Sequence, residues 1–189
     1  MGKFTDAERN LSKAVELAPG APVPLLNRAV SRQALGRLTE ARDDCSAAIE
    51  LDGNEFAAWH NRGQIEADMG EWERALADYT VAADLAPGLA GYRLKQGLAA
   101  WQTGDDALSR QLLAGLARKY AQYAEAHAAL CAVLWALDEG SQAEEQFAYA
   151  KRLDSRWSSA EHAVEMLWPP RAVAALDAFL RVERFVDEA

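Results

Sequence analysis

Three histidines, His60, His127 and His162, and two cysteines, Cys45 and Cys131, are the side chains that could hold a metal or attack a carbonyl. None stands in an HExxH or CxxC spacing, so the sequence implies no metal site. Carboxylate pairs occur at Asp43-Asp44, Asp105-Asp106 and Glu144-Glu145. They fall on turns or outward faces, where solvation is the ordinary reason for charge. No Ser/His/Asp set or glycine-rich phosphate loop appears, and the reading is of a non-catalytic chain without a cofactor. The chemistry left is recognition. Trp101 and Trp135 carry it best, because tryptophan is enriched among residues that dominate interface energy, with truncation costing on the order of 2 kcal/mol.

Composition narrows the partner. The chain has 189 residues, a formal charge of -9 and a pI near 4.9. A nucleic-acid reader normally shows a basic stripe that releases counterions, so DNA and RNA are excluded as partners and basic peptide segments favoured. Half of the residues are hydrophobic, yet no apolar run approaches the roughly 18 needed to span a bilayer. Membrane association would have to run through a partner complex. Cys45 and Cys131 fall in columns that pack inside a hairpin, so they read as small core hydrophobes in a reducing compartment, not as a disulfide.

The elements that position these residues follow from a period. Gly36, Gly70 and Gly104 recur every 34 residues, and Ala7, Ala41, Ala75, Ser109 and Ala143 keep the same step. Such a period means stacked helical hairpins. The register gives a half repeat over 1–21, full repeats over 22–55, 56–89, 90–123 and 124–157, then an abbreviated helix and a capping helix over 158–189, all in one array. Position eight, where two helices cross closely, reads Ala29, Gly63, Gly97, Cys131. Leu17-Ala18-Pro19-Gly20 and Leu85-Ala86-Pro87-Gly88 end second helices, and Gly36, Gly70 and Gly104 mark the turns inside hairpins. Met1-Gly2-Lys3-Phe4 aligns with Met69-Gly70-Glu71-Trp72, so the chain begins halfway through a hairpin. Either an upstream helix or targeting peptide precedes it, or the natural protein starts on a lone helix. Beyond residue 157, Trp168-Pro169-Pro170 breaks one helix and Ala172, Val173, Leu176, Phe179 and Leu180 outline the apolar face of the next, the expected cover for the last repeat.

These columns resemble the tetratricopeptide repeat family over residues 1–157, with its first-helix signature partly kept as Trp59, Arg62, Gly63 and Glu66 and with Asn27-Arg28 and Asn61-Arg62 as a variant pair. The resemblance implies an all-α, right-handed α-solenoid with a C-terminal capping helix. The order of Arg118-Lys119-Tyr120, Leu134-Trp135, Leu153-Asp154-Ser155-Arg156 and Trp168-Pro169-Pro170 is similar to tetratricopeptide proteins of cyanobacteria and chloroplasts. That likeness implies a chloroplast or cyanobacterial interior, with a cytoplasmic setting as the alternative, and suggests a part in assembling thylakoid complexes of photosynthesis.

In such a fold the first helices line the concave groove. The groove residues expected here are Leu26, Asn27 and Val30; His60, Asn61, Gln64 and Asp68; Leu94, Lys95, Leu98, Trp101 and Gln102; and Trp135. Trp101 and Trp135 share position twelve of adjacent repeats. They form either an exposed aromatic shelf or a surface that the C-terminal helix folds back to bury.

The leading functional reading is a scaffold or assembly factor that binds a peptide or protein surface. A permanent structural subunit of a large complex is the alternative. A chaperone-tail adaptor ranks below both: the two-carboxylate clamp of certain family members needs five groups, and only Asn61 and Lys95 match where Leu26, Val30 and Gly91 do not.

Overall fold

A computed structural model describes the chain from Gly2 to Asp187, with side chains through Glu183. The helices are α1 (Gly2–Leu17), α2 (Pro22–Ala34), α3 (Leu38–Leu51), α4 (Phe56–Asp68), α5 (Trp72–Leu85) and α6 (Ala90–Thr103). They continue with α7 (Asp106–Lys119), α8 (Ala124–Ala136), α9 (Gly140–Leu153), a 3₁₀ turn over Ser155–Ser158, α10 (Ala160–Glu165) and α11 (Pro170–Asp187). No strand occurs among the described residues. Two compact units divide the chain, Met1–Tyr92 and Arg93–Ala189.

The same turn closes the first helix of every hairpin. Gly36, Gly70 and Gly104 take φ values of 76°, 78° and 87°. Each sits in a paired capping pattern, as where Gly36 N–H donates to the Gln33 carbonyl and Arg37 N–H to the Arg32 carbonyl, both at 2.9 Å. The fourth occupant is Asp138 (φ 62°). The fifth is Leu167 (φ 56°), where Trp168 N–H reaches back to the Ala163 carbonyl at 3.0 Å. α10 and α11 are thus a shortened hairpin built on the turn used four times before it.

Within the first unit, α2 packs on α3 and α4 on α5. The core gathers Leu25, Leu26, Ala29, Ala41, Cys45, Ala48, Ala58 and Ile65. Small residues at the crossings are a steric necessity. A Cβ at Gly63 would stand 3.0 Å from the Tyr79 ring and 3.2 Å from the Ala75 carbonyl oxygen. In the second unit a Cβ at Gly97 would meet Leu113 Cδ2 at 2.9 Å. There α11 packs on α8, and Phe179 sets its edge against Trp135 (5.4 Å between centroids) and Phe147 (4.9 Å). Cys45 and Cys131 are buried and free, and burial pushes the Cys45 thiol up to about 12 and raises that of Cys131 as well. Neither is a nucleophile in the folded chain.

Three substitutions separate crowding from backbone strain. Gly63→Ala lowers stability by about 1 kcal/mol in urea unfolding, because a ring and a carbonyl must both yield. Gly97→Ala sets its Cβ 2.9 Å from Cδ2 and 3.0 Å from Cγ of the fully buried Leu113, so that packed side chain must shift and stability falls by about 1 kcal/mol. Leu167→Gly raises stability by about 1 kcal/mol, since a side chain with a Cβ is held there in the left-handed region.

Candidate functional site

In the first unit, the face shared by α2 and α4 joins an apolar strip to a polar rail. Val23 and Val30, 56% and 47% exposed, stand on α2 one helical face apart from its buried Leu25 and Ala29. Gln33 Nε2 donates to Asp68 Oδ2 at 2.6 Å, Gln64 Nε2 to Asp68 Oδ1 at 3.2 Å, and Tyr79 Oη to Gln64 Oε1 at 3.4 Å. Side chains from α2, α4 and α5 are therefore tied in one line. His60 packs between Tyr79 and Tyr92, with ring centroids at 5.7 and 4.6 Å, and its Nδ1 lies 3.5 Å from Asn61 Oδ1. Burial pushes the Tyr79 hydroxyl well above its ordinary range, so it stays a neutral donor.

Behind this face, a repeated clamp fixes neighbouring helices. Arg28 donates to both oxygens of Asp44 at 2.9 and 2.7 Å and to Ser12 Oγ at 3.3 Å. Arg62 repeats the pattern on Asp78 at 2.6 and 2.9 Å and on Ser46 Oγ at 3.2 Å. Each arginine thus joins the helix before it to the helix after it, and the bidentate bond raises its pKa. One position is inverted between the repeats. Arg32 adds a second donor to Asp44 at 2.8 Å, whereas its counterpart Glu66 is a buried carboxyl with Oε2 unbonded. Burial, and then the nearby Asp78 charge, push Glu66 up to about 7.

The second unit closes the corresponding face with its own chain. Lys95 Nζ donates to the Met166 and Leu167 carbonyls at 3.3 and 3.4 Å. Arg171 N–H donates to Gln102 Oε1 at 2.9 Å, its guanidinium bonds the Trp101 carbonyl and Asp106 Oδ1 (2.6 Å), and it lies 3.7 Å over the Trp101 ring. Trp168 buries its indole and donates to Glu125 Oε1 at 2.9 Å.

The expected open groove is corrected in this unit. Trp101 is 2% exposed, Leu94 and Leu98 on the same helical stripe are equally covered, and Lys95, Gln102 and Trp135 are engaged by residues 166–179. The reason is intramolecular: the turn between α10 and α11 and the face of α11 supply the apolar and hydrogen-bonding partners that a ligand would have supplied. Of the two alternatives for Trp101 and Trp135, the helix folding back is the one observed. In the first unit Leu26 also belongs to the core and not to the surface, whereas Asn27, Val30, His60, Asn61, Gln64 and Asp68 remain at least partly accessible. Gln33 was a groove-facing position whose bond to Asp68 was not visible in sequence. The Ser-Arg-Asp clamp was missed, although both sets share one spacing.

Comparison with known proteins agrees with this architecture. No protein-family model matches the chain. A TPR repeat-containing thioredoxin of Arabidopsis thaliana is 31% identical over 84 residues, 44% of this chain and 22% of that protein. Over 53% of this chain and 79% of the other, the structure superimposes with a TM-score of 0.51, at 25% identity, on the first TPR of Spaghetti (RPAP3), which was solved bound to an HSP90 peptide. The helical-hairpin fold is that of solved TPR structures. The crystal structure of MamA shares the fold, with a TM-score of 0.75 at 17% identity over 82% of this chain and 91% of MamA. The chain spans about a fifth of the length of the curated relatives it matches.

Glu66, buried behind the α2–α4 face, gives the fold a pH signature. Its carboxyl binds a proton more tightly folded than unfolded, so its contribution is fully present below about pH 4.5 and is lost as pH rises through about 7. Glu66→Gln therefore raises the melting temperature above pH 7, and the advantage over the parent shrinks to nothing as pH falls toward 4.5.

Proposed function

We propose that this TPR protein is a non-catalytic scaffold or assembly factor that holds an extended segment of a partner protein on the α2–α4 face of its first unit. One observation carries the reading: the second unit binds a proline-containing segment of its own on the same helix positions. There Lys95 receives backbone carbonyls and Gln102 accepts a backbone N–H. In repeat register, Lys95 corresponds to Asn61 and Gln102 to Asp68. Asn61 would donate to a peptide carbonyl, Asp68 would accept a peptide N–H, and Val23 and Val30 would take an apolar side chain. Asp68 and the net charge of -9 favour a neutral or basic peptide.

An acidic chaperone tail fits this face poorly. Leu26 is buried and Val30 is apolar where the clamp needs cationic and amide groups, and Lys95 already serves the chain's own carbonyls. The likeness of residues 118–180 to TPR proteins of cyanobacteria and chloroplasts supports placing the work in a chloroplast or cyanobacterial interior, in assembling a thylakoid complex.

The test is native-gel comigration followed by mass spectrometry, with the parent chain and the Val30→Glu/Asn61→Ala variant compared side by side. The partner band seen with the parent should weaken at least about tenfold with the variant, as expected for loss of an interface anchor. Equal comigration of both would remove the face from the mechanism.

A further inference from the structure

Outside the first-helix faces, the terminal hairpin presents an apolar cavity of about 540 Å³ between α10 and α11. That is large enough for one or more side chains of a ligand. Val164, Trp168, Pro170 and Val173 line it, with Glu161 and Asp177 as the polar members and no cationic side chain among the lining residues. Its floor is rigid: the Trp168 ring lies 5.0 Å from Trp157, and its N–H is anchored on Glu125. Its rim is apolar and unsatisfied. Val164 is 59% exposed, and Leu167, 64% exposed, occupies a left-handed turn that glycine fills in the first three hairpins. Lys95 pins that turn through two carbonyls, so the strained Leu167 between α10 and α11 is held outward.

We propose that this cavity is a docking site for a basic amphipathic segment of a partner protein, an aliphatic or aromatic side chain entering between α10 and α11 while flanking Lys or Arg residues meet Glu161 and Asp177. Charge decides the occupant. A second copy of this chain joined about a twofold axis would set the Glu161 and Asp177 rim against itself. An acidic partner would meet the same repulsion. Asp177 already pairs with Arg181 at 2.7 Å, so Glu161 is the stronger determinant. The cavity shares no lining residue with the α2–α4 face.

The probe is a fluorescein-labelled amphipathic peptide of about 15 residues, Leu on one helical face and Lys on the other, with a second peptide bearing Glu for Lys. Anisotropy titration of the full chain should show binding of the Lys peptide at least about tenfold tighter than of the Glu peptide. Measured in the Val30→Glu/Asn61→Ala background, which removes the α2–α4 face, Val164→Lys should weaken the Lys peptide about tenfold and Glu161→Gln about threefold. Val164 is largely exposed, so its variant keeps the fold, verified by an unchanged melting temperature. Equal binding of both peptides, or indifference to Val164→Lys, overturns the proposal. Self-association that Val164→Lys abolishes in light scattering also overturns it, assigning the cavity to a second copy. Loss of all binding already in the Val30→Glu/Asn61→Ala background would place the peptide on the α2–α4 face and equally remove this site.

Discussion

Close approach of the two helices in each hairpin is the constraint on which the remainder rests. Where a Cβ would stand only 3.0 Å from a neighbouring ring, as at Gly63 beside Tyr79, the crossing leaves no room for one without displacement. Its depth sets how far the helices interleave, and hence which side chains of the first helix face away from the pair. Val30, His60 and Gln64 lie at the surface because Ala29 and Gly63, their neighbours in the turn, lie in the crossing. A larger residue at the crossing would shift a recognition face that it never touches.

A second layer of order is electrostatic, and it differs between the two units. The Ser12-Arg28-Asp44 and Ser46-Arg62-Asp78 clamps join three successive helices through bonds to a single guanidinium. In register, the later repeats carry Gln96 and Leu130 in place of the arginine. Their packing relies instead on apolar and aromatic contact, with Phe179 against Trp135 and Phe147 and Trp168 against Trp157. Two buried bidentate pairs give the first unit directional geometry, while the second draws its cohesion from area and ring contacts.

Helix identity and hairpin turns were legible because they depend on local chemistry. Glycine at 36, 70 and 104 adopts the positive φ that the register assigns to it, and α2, α4, α6 and α8 begin at Pro22, Phe56, Ala90 and Ala124, where the period places position one. Half of the site was not legible, for a reason equally physical. Whether Trp101 and Leu98 meet solvent depends on the return path of a segment 65 to 70 residues downstream, as the Arg171 bonds to Trp101 and Asp106 show. No periodicity within α6 carries that information. Leu167 was unreadable for the opposite reason: a leucine in a glycine turn breaks the local rule that makes the other turns visible.

The Trp168–Arg171 segment is a ligand that never leaves. Tethered by α10 on one side and α11 on the other, it competes for its face at an effective concentration of the order of millimolar. A diffusing partner of micromolar affinity would there be outcompeted roughly in the ratio of its cellular concentration to that tethered one. The first-helix face of the second unit is thereby kept closed to weak binders by its own chain.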